Sequence, residues 1–174
     1  MPPAYGAAPP PAYGAAPVYQ PQIRFAGWWQ RVGAVIIDGI ISIAFFIPAF
    51  IIFAVGPSEV DTCTINGEFG LCEVPTDGTM ALGALVYVAG AIVYLVLYCR
   101  RVGNKGQSWG MGATGYQIVD ERTGALIGTG RAVGRYFARI LSALPCYLGF
   151  LWPLWDSENR TFHDMIVRTR AVKK

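Results

Sequence analysis

Apolar residues fall in two long runs and a third, interrupted one, after a proline-rich start. The first run extends over about 32–55, and the second, about 79–99, contains no charged residue. About 20 apolar residues are enough for a helix to cross a bilayer. The pattern therefore predicts an all-α membrane protein with two transmembrane helices at these positions. Pro48 is expected to kink the first of them.

The third apolar segment, about 132–155, is broken by Pro145, Gly149 and Pro153. Basic residues follow it up to Lys174. A single crossing would place them outside the cell, against the tendency of Lys and Arg to remain in the cytoplasm. We expect a bent or re-entrant helical segment that returns to the cytoplasm. A complete third span with an external C-terminus is the alternative.

Charge distribution predicts the topology. Hydrophobic residues make up 53% of the chain and charged residues 14%, a composition typical of membrane proteins. The segment 56–78 contains acidic residues but no Lys or Arg. This asymmetry predicts a multi-pass plasma-membrane protein with an extracytoplasmic loop 56–78 and with both termini in the cytoplasm.

Two of the four cysteines, Cys63 and Cys72, lie in the predicted outer loop. An oxidising compartment permits a disulfide between them, and we favour that pairing. A two-residue turn at 66–67 would not place the cysteines opposite each other, whereas a four-residue loop over 66–69 would. Cys99 and Cys146 lie in apolar stretches and are expected to be small buried hydrophobic residues.

Residues 1–22 differ from the rest of the chain, since the sequence PPAYGAAP occurs there twice in succession. Such a segment cannot bury a core, and we expect a disordered, proline-rich tail. A docking tail for a proline-recognising partner is the alternative. Residues 23–174 then form the membrane domain.

The region after the second helix predicts a small cytoplasmic β element. Tyr116–Asp120 has the pattern of a strand and Ala125–Ile127 that of a return strand. A last strand over Val167–Val172 could pair with the first. Thr129 is expected to cap a helix that begins near Arg131.

Asp38 is the leading candidate for a functional side chain. It follows Arg31 by seven residues, so the two share one face of the first helix. A carboxylate inside the hydrocarbon costs about 2.5–3.5 kcal/mol even on lenient scales, so it needs a partner or a purpose. An ion pair with Arg31, Arg135 or Arg139 is one interpretation, and a proton or cation relay is the other.

Three arginines recur every four residues at positions 131, 135 and 139, which places them on one helical face. This stripe is expected either to bind anionic lipid or to bring Arg135 or Arg139 to a carboxylate. The predicted intramembrane polar cluster consists of Arg31, Asp38, Arg135, Arg139 and Asp164.

The remaining motifs give little indication of catalysis. Thr161 and Asp164 have capping-box spacing, and His163 lies between them without a nucleophile or a second histidine. Residues 110–115 spell GxGxxG, but a strand follows where a helix should, so we reject nucleotide binding and interpret the stretch as a flexible connector. No cysteine spacing indicates a metal site. We expect a non-enzymatic protein without cofactor or metal.

These residues resemble the RDD family of small membrane proteins, named for one arginine and two aspartates. Arg31 and Asp38 match the first two positions, and Arg160–Asp164, which reads RTFHD, matches the stretch with the second aspartate. The resemblance makes Arg31, Asp38, His163 and Asp164 the motif residues. The segments GQSWG, YQIVD and WPLWD also look like family features, whereas Met111 stands where many members have lysine. The proline-rich tail and cysteine loop are similar to those of actinobacterial proline-rich antigen proteins.

The resemblance implies two functions, because some members are linked to sodium or proton exchange and others accompany larger complexes. Two or three apolar segments cannot enclose an aqueous path alone, so we favour an accessory or scaffold subunit of a cell-envelope, transport or respiratory complex. A homo-oligomeric ion or proton-coupled transporter is the alternative. Expected partners are the bilayer, including anionic lipid, and other membrane subunits or further copies of the chain. We expect no nucleic acid and no nucleotide.

Overall fold

The computed structural model describes residues 23–65, 67–145 and 148–174. The predicted tail 1–22 and Cys146 lie outside the described residues. In chain order the elements are α1 (Trp28–Val55), β1 (Ser58–Ile65), β2 (Glu68–Pro75), α2 (Asp77–Lys105), α3 (Trp109–Ala113), β3 (Tyr116–Asp120), α4 (Gly128–Ala143), α5 (Leu148–Leu151), a 3-10 helix (Trp152–Leu154), α6 (Phe162–Val167) and β4 (Thr169–Lys173).

Helices α1 and α2 are both long and apolar enough to cross a membrane, as predicted. Each is longer than the apolar run that predicts it. Helix α1 begins at Trp28, before the apolar run, and continues through Pro48. Helix α2 begins after Thr76, whose Oγ1 accepts a hydrogen bond from the Thr79 amide, and it continues past Cys99 because Val102 and Gly103 are buried against the rest of the chain.

The two long helices pack through small residues on α2. A Cβ atom added at Gly83 would overlap the ring of Phe53, and one added at Gly90 would overlap the Phe45 carbonyl oxygen. Tyr87 stacks on Phe46 with ring centroids 4.7 Å apart. The glycines therefore allow the two helices to approach closely.

The segment between α1 and α2 is a β-hairpin. Strands β1 and β2 pair antiparallel with Ile65 opposite Glu68, so only two residues connect them. The expected four-residue loop is therefore wrong. Cys63 lies opposite Gly70 rather than Cys72, yet the diagonal Cα–Cα distance between the cysteines is 5.9 Å and the predicted disulfide is formed. This distance falls in the ordinary range for disulfides.

We call residues 106–145 and 148–174 the base, which packs around the start of α1 and the end of α2. Its strands β3 and β4 pair antiparallel, with Ile118 opposite Ala171, so the predicted pairing of the 116–120 strand with the C-terminal strand is confirmed. Phe25 adds a bridge to Val172 on β4. The core joins base and helix ends and includes Ala26, Ala34, Tyr98, Cys99, Val102, Met111, Tyr116, Ile118 and Ala171.

The return strand predicted at Ala125–Ile127 is wrong. Asp120 instead closes a turn, because its Oδ1 accepts hydrogen bonds from the amides of Arg122 and Thr123. The chain then enters α4 directly at Gly128. Ile127 occupies the cap position without a side-chain bond, so the expected Thr129 cap is also wrong.

The third apolar segment is divided between α4 and the short α5. A Cβ atom added at Gly149 would lie 2.8 Å from the Cβ and carbonyl oxygen of Ser142, so α5 lies directly against the end of α4. Their connection includes residues 146–147, which lie outside the described residues. The re-entrant course of this segment stays a prediction, as does the cytoplasmic location of the base.

We predict that Gly90→Ala destabilises the protein by about 1–3 kcal/mol, because the added methyl group overlaps the backbone of Phe45. Gly39→Ala is the matched control, since it lies on α1 with no atom within 4 Å of the added Cβ. Helix propensity makes that change neutral or stabilising. Unfolding in detergent micelles measures both, and equal stability of the two variants would contradict the packing.

Candidate functional site

Asp164 joins three helices at the centre of the base. Its side chain is fully buried, and its Oδ2 accepts a hydrogen bond from Arg31 Nη1 on α1 at 2.7 Å. Its Oδ1 accepts a second bond from Arg135 Nη1 on α4. One carboxylate on α6 therefore faces two buried guanidinium groups.

The local sequence fixes the orientation of Asp164. Thr161 Oγ1 accepts a hydrogen bond from the Asp164 amide at 3.3 Å, and the Asp164 carboxylate accepts one from the Thr161 amide at 3.0 Å. This is a reciprocal capping box at the start of α6. The capping and ion-pair interpretations of Asp164 are therefore compatible, because its carboxylate takes part in both.

The two arginines have further acceptors. Arg135 Nη1 donates to Thr169 Oγ1 at 2.7 Å, and Arg31 Nη2 donates to the Asn159 carbonyl oxygen at 2.6 Å. Asn159 has a φ of 53°, a left-handed conformation that asparagine tolerates better than most residues. No sequence pattern indicates this carbonyl as an arginine acceptor, since every residue has a backbone carbonyl group.

Burial and charge act on the titrating groups of α6. Burial alone would raise the pKa of Asp164, but Arg135 and Arg31 hold it well below its ordinary value. Burial, together with Arg135, holds the pKa of His163 well below 6.5. His163 Nδ1 lies 3.2 Å from Ser142 Oγ. The imidazole is therefore neutral at pH 7 and is a member of the core.

Asp38 has different partners from those expected. Its Oδ2 accepts a hydrogen bond from Ser108 Oγ at 2.5 Å, and its Oδ1 accepts one from the Gly110 amide at 2.8 Å. Ser108 is fully buried. Within the described residues, Asp38 forms no ion pair, so the predicted pairing with Arg31, Arg135 or Arg139 is wrong.

The interpretation of the GxGxxG stretch as a flexible connector is also wrong. Residues Trp109–Ala113 form the short helix α3, with Ser108 as its cap. A Cβ atom at Gly110 would overlap the backbone of Ala34 on α1, so only glycine allows this contact. A serine directly before the helix was the signal in the sequence for the cap.

The arginine stripe on α4 divides into three separate environments. Arg131 bonds Asp120 Oδ2 at 2.5 Å, whereas Arg135 bonds Asp164. Arg139 Nη1 donates to the Tyr98 hydroxyl at 2.8 Å, and its guanidinium lies 5.9 Å from the centre of that ring. The predicted five-residue cluster is therefore one three-residue group around Asp164, with Asp38 and Arg139 bonded elsewhere.

A second ionic network covers the outer side of the base. Arg160 bonds Asp156 at 3.0 Å and lies 3.3 Å from Glu158, which Arg170 also contacts, at 2.9 Å. The Asp156 carboxylate holds the Arg160 amide as well, at 2.9 Å. These bonds lower the pKa of Asp156. The i, i+4 spacing of Asp156 and Arg160 was the available signal for this pair.

A cavity of about 290 Å³ lies between α1, α4 and the start of α6. Polar residues that bond different partners line this one cavity, together with apolar side chains of α1. The described residues contain no group of three or more His, Cys, Asp or Glu that could hold a metal ion. The charged residues and the histidine in the cavity wall are Arg31, Asp38, Arg135, Arg139 and His163.

A protein-family model described as the RDD family matches residues 25–168, from the bridge at Phe25 to the end of α6. The chain belongs to the RDD family. The match includes Arg31, Asp38 and Asp164, whose bonds hold α1 to the base. In this RDD chain, the arginine and the second aspartate bond each other, while the first aspartate holds α3.

Curated relatives extend this finding. The chain is 31% identical to a proline-rich antigen homolog of Mycobacterium tuberculosis, covering 87% of this chain and 65% of that protein. It is 31% identical to the proline-rich antigen of Mycobacterium leprae, covering 86% of this chain and 61% of that protein. The matches therefore span less than two thirds of the length of these relatives.

A third relative has a similar extent to this RDD chain. The uncharacterized protein YxaI of Bacillus subtilis is 31% identical, covering 86% of this chain and 97% of that protein. No solved structure matches the chain.

We predict that the chain loses stability as the pH falls below about 6.5, and that His163→Gln removes this dependence. The folded state disfavours the imidazole proton, so the unfolded state binds more protons and is stabilised relative to the folded state on acidification. The slope approaches about 1.4 kcal/mol per pH unit. Because the chain contains one histidine, unfolding between pH 7.5 and 5.5 isolates its effect. An identical pH dependence of the variant would contradict the assignment.

We also predict that Asp164→Asn costs about 3–5 kcal/mol, because it leaves two buried arginines without their counter-charge. Asp120→Asn is the matched control, since it removes the carboxylate of an ion pair whose Arg131 side chain is 39% exposed. Its loss should be clearly smaller, as expected for a solvated pair. Chemical unfolding of both variants measures the difference, and equal losses would contradict a central role for Asp164.

Proposed function

We propose that this protein is a non-enzymatic accessory or scaffold subunit of a larger plasma-membrane complex of the cell-envelope, transport or respiratory type. The observation that carries the proposal is the amount of apolar surface that the chain leaves uncovered. In the 18-residue apolar stretches of α1 and α2, only 11% and 6% of the residues are buried inside the chain. Lipid can cover these faces, but so can helices of a partner.

The hairpin favours a protein partner. Val60, Phe69 and Leu71 lie on one face of the β1–β2 hairpin and are 65%, 91% and 73% exposed. Strands of eight residues extend about 26 Å, so the hairpin presents an extended surface. Exposed apolar patches of this kind mark interaction sites. On the topology that the charges predict, this face lies outside the cell.

The cavity beside Asp38 and Arg139 supports the second candidate, a homo-oligomeric ion or proton-coupled transporter, because intramembrane ionisable groups commonly line such pathways. Both carboxylates already have bonding partners within the chain, which favours the first candidate. Asp164 is shared by two arginines and Asp38 is bonded to two donors, so both act as structural joints.

The test is the size and composition of the particle that contains the tagged full chain after gentle detergent extraction. We expect elution well above the 18.9 kDa of the chain, with a partner in fixed stoichiometry. The double variant Phe69→Ser, Leu71→Ser should lose that partner, because it removes the apolar face. Glu59→Ser on the opposite face is the control.

Recovery of the wild type only as a monomer or as a ring of identical copies would contradict the accessory function. In that case, ion flux in vesicles containing the purified chain, abolished in Asp38→Asn, would establish the transporter instead.

A further inference from the structure

Arg139 differs from its neighbours on the arginine stripe because it lacks a counter-charge. Arg131 and Arg135 each bond a carboxylate. Among the described residues, Arg139 forms no ion pair, and its single hydrogen bond is the one to the Tyr98 hydroxyl. A guanidinium group has five N–H donors, so most of its capacity remains unused. Arg139 is half-buried, and a partly desolvated cation with free donors attracts an anion.

The cavity beside Arg139 has a surplus of positive charge. Arg31, Arg135 and Arg139 lie in its wall, against Asp38 in the wall and Asp164 behind it. Three guanidinium groups and two carboxylates leave one net positive charge. The carboxylate oxygens of Asp38 are directed to Ser108 and Gly110, so they do not neutralise Arg139 by direct contact.

The other side of the cavity is apolar and continues to the surface of α1. Val35 and Ile36 line the cavity and are 47% and 57% exposed on the outer face of this helix. An occupant can therefore place a charged group at Arg139 and an apolar part along α1. A soluble anion would leave the apolar wall without a partner.

The volume of the cavity determines which part of such a ligand can enter it. The volume of about 290 Å³ lies just below the usual range for small-molecule pockets, about 300–1,000 Å³. This space admits a headgroup but not a pair of acyl chains. The chains would remain outside, against the exposed face of α1.

We propose that this cavity binds the headgroup of an anionic phospholipid, with the phosphate at Arg139 and the acyl chains along Val35 and Ile36. Charge-assisted bonds to a phosphate are among the strong hydrogen bonds available to arginine. Arg139 is thus a lipid-binding residue, in contrast to Arg135, which holds α4 to Asp164. This site is independent of whether the protein serves as an accessory subunit.

Native mass spectrometry of the detergent-purified full chain tests the site with dioleoyl phosphatidylglycerol and dioleoyl phosphatidylcholine as probes. We expect preferential retention of phosphatidylglycerol, weakened about tenfold or more in Arg139→Gln, because a bond to a charged group is lost. Arg139→Lys should keep part of the affinity. Arg122→Gln, an exposed arginine outside the cavity, is the control and should bind as the wild type does.

Three results would overturn the proposal: equal retention of the two lipids, equal losses in Arg139→Gln and Arg122→Gln, or displacement of the lipid by inorganic phosphate at equal concentration. The last would identify a site for a free anion.

A photoactivatable phosphatidylglycerol, cross-linked to the wild type in vesicles, tests the same site without relying on a variant that folds. Adducts should concentrate at residues 32–36 on α1, and an even distribution over the exposed faces of α1 and α2 would refute the site.

Discussion

The fold depends on one buried carboxylate that two cations share. Asp164 bonds Arg31 on α1 and Arg135 on α4, while its own backbone is fixed by the capping box with Thr161. A buried charge is costly unless opposite charges and hydrogen bonds compensate it. Each contact therefore supports the others, so α1, the amphipathic α4 and the C-terminal segment are expected to assemble together. The strand pairing of β3 with β4 then closes the base around them.

The sequence predicted what periodicity and charge can indicate. The apolar runs predicted α1 and α2, and the 116–120 strand pairs with the C-terminal strand as predicted. The disulfide was predicted from position alone, while its diagonal register was not. A register depends on the residues in the turn, and an expectation of directly opposed cysteines led to the wrong loop length.

The sequence identified Arg31, Asp38 and Asp164 as candidate residues but did not predict which groups they bond. Seven residues of separation place Arg31 and Asp38 on one helical face, and this proximity suggested a pair. Tertiary packing determined otherwise, because α3 brings a hydroxyl and a backbone amide to Asp38, and α6 brings Asp164 to Arg31. Spacing along one helix cannot show which other element will approach its face. Ser108 and the Asn159 carbonyl were missed for this reason.

The contrast between Asp38 and Arg139 separates architecture from binding. Both lie in the wall of one cavity, and neither forms an ion pair with a described residue. Asp38 nevertheless has its charge satisfied, because a buried hydroxyl and an amide donate to its two oxygens. These two hydrogen bonds attach the short helix α3 to α1, and Asp38 needs no ligand to complete them. Among the described residues, the partners of Arg139 are the hydroxyl and the ring of Tyr98, neither of which carries a negative charge, so the guanidinium charge is available to a ligand that enters the cavity. The same wall therefore contains one polar group that completes the fold and one that the fold leaves available.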